Sequence, residues 1–138
     1  MSDSLSDRIE KCLTTLGADL RPLDRVSAVA DAFVPVDDVT HDAMVAYHAF
    51  AATALTDPDL RSIHAFRRCW TMIEFFVDQL QSGQMRGDVN AAVQPDAAAL
   101  ASLSLILGHS LGVLLEQVSP QDAQDALDQH FRRLESRH

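Results

Sequence analysis

The stretch that decides the fold runs from residue 97 to residue 115, with the sequence AAALASLSLILGHSLGVLL. It is apolar throughout except for Ser102, Ser104, His109 and Ser110, which do not share one side of a helix. A helix on the surface of a small monomer keeps one side polar for water. We therefore expect a helix with apolar partners on both sides: its own core and a second copy of the chain.

Two ridges run along this helix on a helical wheel. Leu100, Leu103, Leu107, Leu111 and Leu114 form one, and a flatter one beside it consists of Ala101, Leu105, Gly108 and Gly112. Either ridge can supply the partner-facing side. We expect helices 95–118 and 120–137 to pair with their copies around a two-fold axis in a four-helix seam. The candidate interface residues are Ala101, Leu105, Gly108, Gly112, Leu127, Phe131 and Leu134.

A membrane span is the alternative interpretation, because about 18 consecutive apolar residues is the usual threshold. The flanks argue against it: Asp96 precedes the stretch and Glu116 follows it, with no cluster of Lys or Arg that would set an orientation. A soluble homodimer without membrane contact is the prediction.

Composition indicates one globular domain, residues 1–138, large enough for a hydrophobic core. The chain carries 20 acidic and 11 basic residues, a net charge of −9, and Lys11 is its single lysine. This balance disfavours binding to nucleic acid, because such binding depends mainly on Lys and Arg side chains. Cys12 and Cys69 have no CxxC spacing and follow no secretory signal, so we expect reduced thiols and a cytoplasmic protein.

Prolines and caps divide the chain into helices. Pro22, Pro58, Pro95 and Pro120 each stand where a first-turn proline belongs. Thr40 is the predicted N-cap of another helix, and Gly83 with Gly87 is predicted to stop the fourth. The predicted helices span residues 4–20, 22–34, 40–56, 58–82, 95–118 and 120–137, and no stretch has the pattern of a strand. The fold class is an all-α bundle of about six helices.

The order of these signals resembles a known family. A proline-opened short helix (22–25, PLDR) is followed by a helix around AYHAF (46–50), DPDL (57–60), the loop LQSGQMRGDV (80–89), a Pro-Asp-led helix with Gly108, and a Ser-Pro-opened last helix. Together they resemble the C-terminal domain of TetR-type transcriptional regulators. The resemblance implies a domain that binds a small effector and dimerises, with DNA read by a separate N-terminal helix-turn-helix.

The chain opens at what resembles the linker helix of that family, residues 4–20, without the DNA-reading helices. We therefore expect no direct DNA binding by this chain, which is either part of a longer regulator or a protein lacking that half. The leading hypothesis is an effector-sensing, homodimerising domain. The alternatives are a stand-alone interaction protein that pairs with a full-length regulator and blocks its DNA binding, and a small helical enzyme.

The resemblance implies an effector pocket among the first four helices, closed by the fifth. A mostly apolar small molecule held by few polar contacts suits the residue types there. The candidates are Met44, Tyr47, His48, Ala51, Phe66, Trp70 and Ile73, with His109 at the pocket wall or the dimer seam. The simpler interpretation is that these apolar residues fill the core and that His48 is a hydrogen-bonded core histidine.

Catalytic and metal signatures are missing from the sequence. Asp37, Asp38, His41 and Asp42 are close together, but no HxxxH or HExxH spacing occurs. No nucleophile elbow, phosphate loop or dinucleotide fingerprint occurs either. We expect no enzyme activity, catalytic residue, cofactor or metal.

Overall fold

The computed structural model describes residues 11, 14, 20–61 and 64–136. Across these ranges the chain is all-α, as predicted, and its one β-type pairing is an isolated antiparallel bridge between Val89 and Glu135. The helices are α1 (Pro22–Asp31), α2 (Asp38–Ala54), α3 (Pro58–Arg61), α4 (His64–Arg86), α5 (Pro95–Leu114) and α6 (Pro120–Arg132). The predicted linker helix, residues 4–20, lies almost entirely outside the described residues.

The helix starts predicted at prolines are confirmed for three helices, because Pro22, Pro95 and Pro120 each occupy the first turn. The Ser119 side chain also caps α6 by accepting a hydrogen bond from the Asp122 amide at 3.0 Å. The predicted N-cap Thr40 is wrong. Asp37 is the cap, and its carboxylate accepts from the amide of Thr40, which lies buried in the first turn.

The fourth helix continues past its predicted end. It runs through Gly83 to Arg86 and ends at Gly87, whose φ of 83° is readily available only to glycine. The Gly83 carbonyl accepts from the amides of Asp88 and Val89, which closes the helix end. A Cβ on Gly83 would overlap the Val89 side chain, so this glycine permits a close approach rather than a stop.

The last two helices are shorter than predicted. Helix α5 ends at Leu114 instead of residue 118, because Glu116 adopts a left-handed φ of 57° and the Gln117 amide reverses onto the Gly112 carbonyl at 2.9 Å. Helix α6 ends at Arg132 instead of residue 137. Beyond it the Leu134 carbonyl accepts from the amide of Asn90, which joins the chain end to the loop after α4.

The main core lies among α1, α4, α5 and α6. Its buried residues come from all four helices and from the turn after α1: Val26, Val29, Ala30, Val34, Phe76, Ala99, Ile106, Ala123, Leu127 and Phe131. Helix α2 stands apart from this group and packs against α5 through a smaller cluster centred on Ala43 and Met44. The bundle therefore has a densely filled side and a more sparsely filled side, with α5 between them.

Helix α5 is the one described helix long and apolar enough, by length and composition, to cross a membrane. It also packs against α2, α4 and α6 and supplies Ala99 and Ile106 to the main core. Only 28% of its apolar stretch is buried inside the chain, so one side of α5 faces outward.

Candidate ligand site and subunit-contact surface

The first candidate site lies between α2 and α5. Met44 is buried at its base, while Tyr47 and His48 on the next turn of α2 are half-buried. Phe33, Leu107 and Leu114 pack against this cluster from α5 and from the turn after α1, and all three keep part of their surface open. We call this region the α2–α5 site: Phe33, Met44, Tyr47, His48, Leu107, Ser110 and Leu114.

A polar contact between α2 and α5 crosses the site. The Nε2 atom of His48 lies 3.3 Å from the Oγ atom of Ser110, whose side chain is fully buried. Burial lowers the pKa of His48, so the imidazole is neutral at pH 7. The Tyr47 ring stands edge-on to the His48 ring, at 85° and with centroids 5.3 Å apart. A neutral imidazole can donate through one nitrogen and accept through the other, so a ligand can share or replace the contact with Ser110.

The predicted ligand residues divide into two groups. Met44, Tyr47 and His48 come together, and Ala51 follows, half-buried, one turn later on α2. Trp70, which we expected to be buried, is 66% exposed on the outer side of α4. The side chain of Phe66 lies outside the described residues.

The other two predicted residues lie away from the α2–α5 site. Ile73 packs against the main core. His109 is half-buried two turns after Ser102, on the side of α5 that faces α6. The resemblance implied a pocket among the first four helices, closed by the fifth, and among the described residues the fifth predicted helix, α5, packs against α2.

Ser110 is the functional candidate that the sequence analysis assigned wrongly. Ser102 and Ser110 are two of the four polar residues in the apolar stretch, yet both are buried, whereas Ser104 is exposed. Each buried serine meets a histidine from a neighbouring helix: Ser102 Oγ lies 2.9 Å from Nε2 of His130 on α6. The sequence signal for their burial is the eight-residue spacing of Ser102 and Ser110, because it places both on the same side of the helix as Ile106.

The second candidate surface is the outer side of α5. Leu100 is 56% exposed and Leu115 is 60% exposed, with Leu105 and Leu111 also open to solvent between them. Small exposed residues lie along the same side, and a Cβ on Gly108 would meet no atom of this chain within 4 Å. We call this surface the α5 strip: Ala97, Leu100, Ala101, Ser104, Leu105, Gly108, Leu111 and Leu115.

The predicted interface residues fall only partly on this strip. Ala101, Leu105 and Gly108 belong to it. Gly112 faces its own chain, because a Cβ there would lie 3.2 Å from the Val118 side chain.

The residues predicted from the last helix lie inside the monomer. Leu127 and Phe131 are buried in the main core, and Leu134 packs against that core and against a second cluster formed by Leu23, Leu80 and Val89. The physical reason is that the apolar side of α6 covers α1, which leaves its polar side outward.

A concavity of about 320 Å³ lies between α1 and α6. Its charged groups are already paired with each other, Arg132 with Asp128 at 2.8 Å and Arg21 with Asp24 at 3.2 Å. Above it, burial and the nearby Asp128 carboxylate raise the pKa of Asp31 to about 6. We regard this groove as structural, because its polar groups satisfy one another.

The fold is an all-α bundle, and comparison with known proteins gives its class. Residues 22–135 match the family described as "BetI-type transcriptional repressor, C-terminal". The chain therefore belongs to the TetR-type transcriptional regulators and comprises their C-terminal domain. This confirms the resemblance found in the sequence.

Solved structures give the same fold. One chain, from Rhodococcus sp. and described as a TetR-family transcriptional regulator, matches with a TM-score of 0.85 at 19% identity, over 97% of this chain and 71% of that one. A transcriptional regulator from Rhodococcus sp. Rha1 matches with a TM-score of 0.72 at 19% identity, over 95% and 67% of the two chains. The search of curated proteins finds no match to this chain.

Proposed function

We propose that this domain senses a small apolar or aromatic effector in the α2–α5 site. The observation that carries the proposal is the His48–Ser110 contact, a polar pair beside the apolar cluster of Met44, Leu107 and Leu114, of which the two leucines are only half-buried. Ligand sites of this kind combine apolar walls with a few polar groups that fix orientation. Ligand binding can shift the domain between conformations only through different affinities for them, and α2 packs against α5 through the small cluster centred on Ala43 and Met44.

Methionine methyl NMR tests this proposal directly. Met44 lies at the base of the site, whereas Met85 on α4 is 90% exposed and serves as an internal control. Titration with indole and with benzyl alcohol is expected to move the Met44 signal saturably and leave Met85 unchanged. If neither probe moves Met44, or if both methyls move together, the effector site is wrongly placed.

The role of His48 is tested in the same titration. We expect His48→Ala to weaken binding of a probe about five- to tenfold, the loss of one hydrogen bond. Ala52→Ser, at an exposed position one turn further along α2, is the matched control and should bind as the wild type does. Equal affinity of His48→Ala and wild type would restrict His48 to a structural role.

We also propose that the domain forms a homodimer through the α5 strip. Contiguous exposed leucines on one helix side are typical of a protein contact rather than of a surface in water. The small residues Ala101, Ser104 and Gly108 between these leucines would allow two helices to approach closely. A second copy of the chain would cover this strip if the last two helices of each subunit paired around a two-fold axis.

Sedimentation velocity of Gly108→Glu tests the dimer. Because Gly108 faces open space in its own chain, the glutamate leaves the monomer fold intact but places a charge that an apolar interface cannot solvate. We expect a monomer for Gly108→Glu and a dimer for the control Ala52→Glu. A wild-type monomer at 100 µM, or an unaffected Gly108→Glu dimer, would contradict the proposal.

A further inference from the structure

The two buried serines of α5 use their hydroxyl protons differently. Ser102 donates to the carbonyl four residues earlier at 2.7 Å, a contact typical of serine within a helix. The exposed Ser104 makes the same contact at 3.0 Å. Within the part of the chain that the structure describes, Ser110 has no such bond, and its one partner is Nε2 of His48 at 3.3 Å. The Ser110 proton is therefore available for the histidine.

The direction of each serine–histidine hydrogen bond follows from this difference, because a hydroxyl has a single proton. Ser102 has donated its proton to a carbonyl, so it accepts from the Nε2–H group of His130. Ser110 is fully buried, and a buried hydroxyl that donates to no acceptor is costly. It therefore donates to Nε2 of His48, and the proton of the neutral His48 ring lies on Nδ1.

The Nδ1–H group of His48 is the polar group that remains for a ligand. No acceptor for it occurs among the described residues, and the ring is only half-buried. The bond from Ser110 keeps the proton on Nδ1 and holds the ring, so the donor is preorganised before a ligand binds. A ligand acceptor can thus bind His48 without breaking its contact with Ser110.

The charges on the two helices of the site lie away from His48. Neither α2 nor α5 carries a Lys or Arg. Their acidic residues are exposed near the helix starts: Asp38 and Asp42 on α2 and Asp96 on α5. A carboxylate ligand would lose its hydration against one neutral donor, and an ammonium ligand would find no carboxylate among the residues of the α2–α5 site. The site therefore favours an uncharged ligand.

We propose that the effector is an uncharged apolar molecule whose hydrogen-bond acceptor, such as a ketone oxygen, binds the Nδ1–H group of His48. Ser110 is the positioning residue that fixes this tautomer. The inference rests on the proposed binding of an effector in the α2–α5 site and adds the chemical class of that effector. A ligand without an acceptor would leave the Nδ1–H donor unpaired, and its affinity would not depend on His48.

NMR of the imidazole nitrogens tests the tautomer without any ligand. The proton is expected on Nδ1 of His48 and on Nε2 of His130, with the His48 signals identified by their loss in His48→Ala. Ser110→Ala should shift His48 to a mixture of tautomers, whereas the control Ser104→Ala should leave it unchanged. A wild-type His48 protonated on Nε2 would overturn the inference. An unchanged tautomer in Ser110→Ala would overturn the role of Ser110.

Two probes of the same shape test the ligand class. Acetophenone carries a ketone oxygen where α-methylstyrene carries a methylene group, and binding of each is followed by the Met44 methyl signal. We expect His48→Ala to weaken acetophenone about five- to tenfold and α-methylstyrene less than about twofold, because only the ketone loses a hydrogen bond. Comparing each probe with itself in the two proteins cancels their difference in hydrophobicity.

Benzoate, with a carboxylate on the same ring, is the charged control. It should leave the Met44 signal unmoved at concentrations where acetophenone saturates it. Equal losses for the two neutral probes in His48→Ala, or binding of benzoate as tight as that of acetophenone, would overturn the ligand class and leave the effector site in place. If neither neutral probe moves Met44, the effector site itself is refuted, whichever nitrogen of His48 carries the proton.

Discussion

The two serine–histidine contacts of α5 look alike but lie in different surroundings. Ser102 lies 2.9 Å from His130 on the densely filled side, where it also donates to the Ala98 carbonyl at 2.7 Å. Ser110 lies 3.3 Å from His48 on the side where α2 packs through only a small cluster. The same serine–histidine pairing therefore completes the core at Ser102 and His130. At Ser110 and His48 it forms a polar contact that a ligand could replace.

The largest effect is expected in the dense core. Phe76 is fully buried among α1, α4, α5 and α6. Phe76→Ala should lower the free energy of unfolding by about 3–5 kcal/mol, through lost burial and a cavity that the surrounding helices cannot close. Urea denaturation followed by circular dichroism measures this. A loss below about 1 kcal/mol would mean that the dense core adjusts to a lost side chain as easily as the side where α2 packs.

The two serines give the sharpest test of the comparison. Ser102→Ala removes a hydroxyl that serves two partners and leaves the half-buried His130 without its contact, so a loss of about 1–3 kcal/mol is expected. Ser110→Ala should cost about 1 kcal/mol or less, since one longer contact is lost. Equal losses in urea denaturation would show that the two contacts are equivalent.

A pH-dependent effect is expected from Asp31, at the end of α1. Burial, and then the Asp128 carboxylate, raise the pKa of Asp31 from 3.8 to about 6, and its Oδ1 atom is buried without a hydrogen-bond partner among the described residues. The folded state therefore favours the protonated acid, and the contribution of Asp31 to stability falls as the pH rises from about 4 to about 6. Asp31→Asn should remove that loss and raise stability at pH 7 by about 1 kcal/mol after solvent screening.

Unfolding curves at pH 4.5 and pH 7 check the sign. The difference between Asp31→Asn and wild type should be larger at pH 7 than at pH 4.5. His48 and His130 change stability in the opposite direction, because burial lowers the pKa of each and protonation below their ordinary pKa of 6.5 favours unfolding. Measuring the variant against wild type at each pH cancels these histidine contributions.

The smallest effect is expected at Trp70, an aromatic residue six positions before Phe76 on the same helix. Because Trp70 is 66% exposed, Trp70→Ala should change the free energy of unfolding by about 0.5 kcal/mol or less. A loss of several kcal/mol would show that Trp70 is covered in solution, by a ligand or by another surface.

The sequence by itself determined the helices and the class of protein. Proline in a first turn, Ser119 as a cap and the apolar stretch 97–115 act over a few residues, so their effect is visible without knowing which helices touch. The same local signals carried the resemblance to TetR-type regulators that the family match confirms. They also brought Met44, Tyr47 and His48 onto one side of α2.

Only the tertiary structure decided which sides of the helices meet. An apolar stripe must be covered, but its sequence does not identify the covering surface, so Leu127 and Phe131 could be assigned to a partner and Trp70 to the core. Ser110 became a candidate only when α2 was seen to pack on α5. Helix ends such as Gly87 and Glu116 were likewise fixed by contacts that bring distant residues together, and a local pattern holds no information about those contacts.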